Sequence, residues 1–515
     1  MLFLESWRFQ HLRLPLIVLL CVRTTVVVQS LTAPASSHHN QQQQQQQPSN
    51  AATTVAAAVV QHVWNQQGVT SLAFHPTRST SARLMAGTKR GSLYQFDWNF
   101  KTDSFDSDPT EIINSQQQSS TVPYPIYAMS SFGPTRIDDA DDTDRGSMHQ
   151  LLFCGSGDRY ITVWHNKGKG TSEEEEEGWS VVQRLGPHTG WVKALVPVET
   201  PAIKLSASET KNQPLVGGVR LHSIGCNRIE TWDIFQTESE QEQQQEMSPT
   251  SQWRHTRTTR SIESCPNQGS TLSSDLLCLA AWQDKLLSGG VDGRIHLWSS
   301  SPQQKMEPLQ SIAAHQGRVN ALATVALQQV SNDHNDNGGT SASSCLLVSA
   351  GHDGAVQCRL LVSSTSSSTT ILQDDEPLAS ISLSEDDPFM ATEMRITAMA
   401  CVPITSDISS TTESVDIWVG TSTGRLVQLT LQPTTNDGDN NNANHHWTTC
   451  TLEKTEQWQI VTESNADNKS HIIHAIAILP ESSSFPDSSS CGSSSRDKVV
   501  VVGHAKGLSL VSMKN

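Results

Sequence analysis

The chain has 515 residues, a formal net charge of −17 and only 36 % apolar residues. That length allows several domains unless a repeat organises the chain, and the low apolar share points to a core diluted by long polar insertions. The acidic balance excludes general nucleic-acid binding, which needs a basic footprint.

Arg8 and Arg13 precede the apolar run Leu16–Val22, and small residues follow as far as Ser30. This is the order of a secretory signal, so residues 1–30 are expected to be a cleaved signal peptide. The run is too short for a membrane span and Arg23 interrupts it, so no span is expected after processing. A signal anchor, or a different start residue, is the alternative. Residues 31–56 are low-complexity, with the run Gln41 to Gln47, and no acidic residue occurs between Glu5 and Asp97. Acid-poor, hydroxyl-rich stretches behave like transit peptides. The junction Ser30-Leu31-Thr32-Ala33-Pro34 resembles the bipartite plastid presequences of algae with secondary plastids, with Leu31 where phenylalanine is usual. The resemblance implies the secretory pathway and then a plastid. Residues 31–56 lack the Lys and Arg of such regions, and plain secretion is the alternative, compatible with the sequon at Asn468.

From residue 57 to residue 515 one unit recurs seven times. Its first apolar runs are Val69–Phe74, Ile126–Met129, Trp191–Val196, Leu276–Ala280, Val319–Ala323, Ile396–Ala400 and Ile472–Ile478. A small residue in the middle of each is expected to let neighbouring units pack closely. Second and third runs are paired across turns holding Gly, Asp or Asn, which tolerate positive φ. These hairpins span Arg83–Phe96, Leu151–Trp164, Arg220–Ile234, Lys285–Trp298, Leu346–Leu360, Asp416–Leu429 and Val499–Val511. A fourth strand is legible at Val59–Val63, Val181–Leu185 and Gln310–Ile312, each followed by a glycine-ended turn.

This pattern resembles the WD40 family over about residues 57 to 513. The marks are third strands of the form Gly-x-x-x-x-Ile-x-x-Trp, a histidine before the first strand, and one literal Trp232-Asp233 pair. The unit from Ser274 to Ser299 is the nearest match, and its spacing to the next is close to the family's ~40 to 45 residues. The resemblance implies an all-β, seven-bladed propeller of four-stranded antiparallel blades, closed when residues 57–63 complete the seventh. It also implies a buried His–Ser/Thr–Asp–Trp set in each blade. No blade has all four. His315, Ser349 and Asp353 lack the tryptophan, which Arg359 replaces. Ser288, Asp292 and Trp298 lack a histidine, and Asp158 with Trp164, and His188 with Trp232 and Asp233, are partial sets.

Long polar segments fall at 101–121, 135–148, 199–217, 236–271, 328–344, 361–376, 404–414, 433–446 and 481–496. Most lie between first and second strands or after third strands, which gives one shaggy, acidic face. The basic tract Arg254 to Arg260 is read as part of a disordered insertion, with a processing or docking loop as the alternative. The other face collects the second-to-third turns and the connections into each blade. It is expected to present Lys89, Arg90, Arg159, Arg228, Arg294, Arg425 and Lys506, with Trp191 and Arg318 beside them. Such a basic ring with an aromatic suits an acidic partner protein or peptide; solvated turn residues are the plain alternative.

No GxGxxG after a strand, GxxxxGK[ST], HExxH or GxSxG occurs, and the ten cysteines form no CxxC pair. No cofactor, metal site or disulfide framework is expected, and Cys154, Cys278, Cys345, Cys358 and Cys401 read as small buried hydrophobes. His471 and His474 read as packing or loop residues. The function expected is a non-catalytic interaction scaffold. The alternative is an enzyme or small-ligand binder with its site at the central channel, using Asp158, Arg159, Asp292, His352 and Asp353.

Overall fold

The computed structural model describes residues 25–27, 59–64, 67–78, 81–99, 102, 104–105, 108–112, 124–133, 150–167, 178–200, 216–237, 252–261, 275–300, 308–327, 343–363, 370–372, 376–383, 394–405, 412–434, 447, 450–460, 472–479 and 498–513. Over these residues the protein is a seven-bladed β-propeller of antiparallel sheets, with no helix among them. Each blade begins at the axis. Blade one runs Val69–Arg78, Ser81–Thr88, Leu93–Asn99, with two short outer pieces, Ser104–Phe105 and Thr110–Ile112. Blade two is Ile126–Phe132, Gln150–Ser156, Ile161–Lys167, Gly178–Leu185, and blade three is Val192–Thr200, Val216–Gly225, Arg228–Thr237, Gln252–Ser261. Blade four is Leu276–Trp282, Lys285–Gly290, Arg294–Ser299, Gln310–Ala313. Blade five is Val319–Leu327, Ser343–Gly351, Ala355–Ser363, with Thr370–Leu372 and Ala379–Ser382 sharing its outer edge. Blade six is Ile396–Thr405, Thr412–Thr421, Arg425–Pro433, Cys450–Gln459.

Blade seven closes the ring. Ile473–Ile478, Lys498–His504 and Gly507–Met513 are completed by Val59–Trp64 from the other end of the chain, and Thr25–Val27 pairs outside that strand. This covers an edge that would otherwise be open.

The core lies between blades, not within them. Seven clusters of buried apolar side chains each join two neighbouring blades, from blades one and two around to seven and one. A sheet buries side chains on both faces only when a sheet stands on either side, so second strands read as near-continuous apolar runs. The wholly buried stretches Lys285–Gly290 and Val499–His504 show this.

Close approach between blades is made by glycines of the second strands, in addition to the small residues of the first strands. A Cβ at Gly87 would meet Ile126 at 2.8 Å, at Gly155 Val192 at 2.5 Å, at Gly289 Val319 at 2.6 Å, and at Gly503 Val69 at 2.6 Å. Each partner is the first residue of the next blade. The small residues Ala128, Ala194, Ala321, Ala398 and Ala475 line the axial channel, and the first four also pack against the clusters between blades.

Three further points differ from the sequence reading. The basic tract at Arg254 to Arg260 is not an insertion loop: it lies in the outer strand of blade three, paired without a break to Arg228–Thr237. Residues 101–121 and 361–376 contain short outer strands. Connections into blades two, four, six and seven run through 113–123, 262–274, 384–393 and 461–471, outside the described residues, so short connections into a blade are seen at blades one, three and five. The expected signal and transit segments at 1–24 and 28–56, the acidic runs Glu173 to Glu177 and Asp138 to Asp144, and Asn468 and His471 also lie outside them.

Candidate functional site

Every first strand carries a register shift immediately after its first residue. A bulge leaves one residue out of the ladder and re-aims its side chain. The residues so placed are Thr70, Tyr127, Lys193, Leu277, Asn320, Thr397 and His474, and together they ring one mouth of the channel, which encloses about 250 Å³. Three of them tie the ring together: the Thr70 hydroxyl donates to the Ile126 carbonyl at 2.6 Å, the Asn320 amide to Ile396 at 2.6 Å, and the Thr397 hydroxyl to Ile473 at 2.5 Å. Lys193 reaches Asp275 at 3.5 Å. His474 has its pKa lowered by desolvation and by Lys89.

The turns and the connections into the blades share this face. The backbone N–H groups of Lys89, Gly157, Val291, His352, Ser422 and Ala505 donate to Gly68, Pro125, Asp275, Arg318, Arg395 and Ile472, each just before the first strand of the same blade. Lys89, Arg90, Arg159 and Arg318 are exposed, while Arg228, Arg294, Arg425 and Lys506 are half-buried. Arg294 donates to the Ser311 hydroxyl at 3.3 Å. Arg159 holds φ at 73°, the left-handed conformation of a tight turn.

Between blades two and three the face carries an apolar shelf. Trp191 stacks on Tyr127 with centroids 5.4 Å apart and planes 22° apart. Trp191 is 56 % exposed and Tyr124, just beyond Pro125, is 49 % exposed; the other large hydrophobic of this exposure among the described residues is Leu309, in the connection into the outer strand of blade four. The Ser156–Tyr160 turn is bonded to Pro125 on one side and to His188 on the other, so Arg159 stands beside the shelf. Arg184 lies 3.9 Å over the Tyr160 ring and 2.7 Å from Asp158. Across the mouth, desolvation, and then the charges of Arg395 and Arg318, lower the pKa of His352.

The WD-type positions lie beneath this surface. In blade three, Ser223 accepts from the Trp232 indole at 2.9 Å and sits 3.1 Å from His188 Nε2. Asp233 is outside this set and pairs with Arg220 at 2.6 Å. No aspartate occupies the turn; instead Glu230, wholly buried, is held by Arg257 and by the Thr259 hydroxyl, and Arg257 also donates to the Pro187 carbonyl. Arg257 lies 5.0 Å over Trp232. In blade five, His315 bridges Ser349 at 3.0 Å and Asp353 at 3.1 Å, and Asp353 accepts from the N–H groups of Gln316 and Ala355. These bonds hold its carboxyl below the ordinary value against desolvation, the largest single influence. Arg359 is buried at the tryptophan position. In blade four, Trp298 donates to Ser288 at 2.9 Å, while Asp292 is exposed and caps its own turn at Arg294. In blade two, Asp158 caps Tyr160, and Cys154 stands beside Trp164 where a hydroxyl would be.

Asp158, Arg159, Asp292, His352 and Asp353 sit in the second-to-third turns and are not among the side chains that line the channel. The titratable side chains that do are Tyr127, Lys193, Cys278 and His474. Cys278 is buried and its thiol is pushed up to about 12, so it is inert as a nucleophile. The described cysteines are free thiols, and no cluster of metal-ligating side chains occurs among the described residues. No helix among them is long and apolar enough to cross a membrane.

No family model matches the chain, and no curated protein does. Among solved structures it is similar to a chain of the Mitotic Checkpoint Complex, at 12 % identity over 94 % of this chain and 100 % of that one, with a TM-score of 0.41. It is similar to the WD40 β-propeller domain of Doa1, at 12 % identity over 88 % and 95 %, TM-score 0.39. A computationally designed protein, Ika8, matches at 14 % identity over 87 % and 96 %, TM-score 0.38. The assignment of the fold rests on the strand order and ring closure described above.

Reading by residue type missed Tyr124, Tyr127, Lys193, Arg395 and Ser223. For Tyr127 and Lys193 a signal existed. Each is the second residue of a first strand, the position that the bulge turns into the mouth.

Proposed function

We propose that the protein is a non-catalytic scaffold that docks partner proteins on the face around the channel mouth. One observation carries the reading: exposed Trp191 stacks on half-buried Tyr127 on the face that carries the basic turn residues, and Tyr124 is exposed in the connection into blade two. Large aromatic side chains lose area to water without a partner, and Trp, Tyr and Arg dominate binding energy at protein interfaces. These turn residues are basic on a chain of net charge −17, so an acidic partner surface is attracted and general self-association is not. The test is quantitative capture with full-length protein, comparing Trp191→Ala and Arg159→Glu with the unchanged chain. Both variants are expected to keep their melting temperature and lose one common set of partners. Capture of the same set by all three would remove the face from the mechanism. We further propose that residues 1–56 carry the protein through the secretory pathway to a plastid. A C-terminal fluorescent fusion that stays in the cytosol would refute that route; one that is secreted would refute the plastid.

A further inference from the structure

The outer edges of the blades differ in a way that the fold does not require. An outermost strand offers unpaired backbone N–H and C=O groups to any extended chain, and natural sheets protect such edges. Most blades here do. The edges of blades one and five are split into short pieces, and that of blade four is four residues long. The edges of blades two and six carry bulges, and that of blade seven is bulged and covered by Thr25–Val27. Blade three is the exception among the described residues. Gln252–Ser261 is ten residues long and pairs with Arg228–Thr237 without a register shift. It holds no glycine or proline, and Arg254, His255, Thr256 and Arg257 are exposed. Among the described residues no strand pairs with its outer side.

The charge on this edge selects the partner. The strand contains three arginines and a histidine and no carboxylate. Arg257 is committed inward to Glu230, but Arg254 faces solvent. A second copy added antiparallel would bring two strands of three arginines each together, and in the register centred on Arg257 would set Arg254 directly opposite Arg260, which costs energy. An extended segment with acidic residues at alternate positions would gain both the ladder and the ion pairs, since alternate side chains share one face. The geometry points to this edge as a strand-addition site for an extended acidic segment of a partner protein, separate from the channel mouth.

The probe is a fluorescein-labelled ten-residue peptide alternating Glu and Thr, titrated into the full-length protein and followed by anisotropy, with backbone amide exchange read across Gln252–Ser261. Binding is expected to slow exchange at alternate amides of that strand, those not already bonded to Arg228–Thr237. Arg254→Glu should weaken binding at least about tenfold without moving the melting temperature, and Trp191→Ala should leave it unchanged. A peptide of the same charge with proline at two central Thr positions should not bind. The proposal is overturned by binding without slowed exchange in that strand, by equal binding of the proline peptide or of a Lys–Thr peptide, or by no binding. Concentration-dependent slowing of the same amides in the protein alone would instead assign the edge to a second copy.

Discussion

The contact that closes the ring offers a direct test of how the blades are held. Gly503, on the second strand of blade seven, faces Val69, the buried first residue of blade one. A Cβ at 503 would lie 2.6 Å from Val69 Cγ1 and 3.2 Å from its Cβ. Gly503 does not sit in the left-handed region, so the objection to alanine is steric alone. Alanine there gains ~0.4–1 kcal/mol by restricting the unfolded chain. It loses ~1–3 kcal/mol by overpacking a dense interface. Gly503→Ala should therefore destabilise by about 1–2 kcal/mol. Val69→Ala removes two buried methyls at ~1 kcal/mol each and leaves a cavity, a loss of about 2 kcal/mol. In the double variant the new methyl enters the space that Val69 Cγ1 vacated, leaving Cβ atoms 3.2 Å apart, which a shift of a few tenths of an ångström relieves. The double variant should then be no less stable than Val69→Ala alone. The coupling should be at least about 1 kcal/mol, read by urea unfolding of all four proteins. Additivity to within ~0.3–0.5 kcal/mol would refute the glycine–valine contact as the closure.

Other consequences follow from the buried polar sets. Ser223→Ala strips both the Trp232 indole and His188 Nε2 of their shared partner inside the core, and should cost about 2–4 kcal/mol of unfolding free energy; a loss under about 0.5 kcal/mol would show that the set contributes nothing. Arg257→Leu leaves Glu230 buried without its cation, for a loss of about 3 kcal/mol, recovered in part by pairing it with Glu230→Gln. Burial lowers the pKa of His75 and of His188 from 6.5 to about 4. Between those values the unfolded chain takes up protons that the folded chain refuses, so stability is full above about 6.5 and falls as the pH drops towards 4. The loss is ~3 kcal/mol per ring on a 1.36 kcal/mol-per-unit scale. Melting curves from pH 7.5 to 4.5 should show it, and a flat response would contradict the burial of both rings.

Much of the strand pattern was legible because hairpins advertise themselves locally. Alternating apolar residues around a Gly, Asp or Asn turn specify a pair of strands without reference to anything distant, and seven such pairs stand out of the polar background. The outer strands were less legible. Gln252–Ser261 has no apolar face to bury beyond Trp253, so its composition reads as a loop; it is a strand because Arg228–Thr237 offers ten residues of unpaired backbone and Glu230 needs a cation. The apolar shelf was half legible. Trp191 was visible as an aromatic in a short connection, whereas Tyr127 sits inside an apolar run and looks like core.

By itself the sequence determined the repeat, its number, the turns and the residues able to pack between sheets, since these depend on spacing and side-chain type along a local stretch. Tertiary structure alone decided which residues meet. Every core cluster joins two blades, so the partner of Gly503 lies at the far end of the chain at Val69. The bulge that turns Tyr127 and Lys193 into the channel mouth exists because each inner strand has neighbours to register against. A contact across several hundred residues leaves no local pattern, and the closed ring is what brings its two sides together.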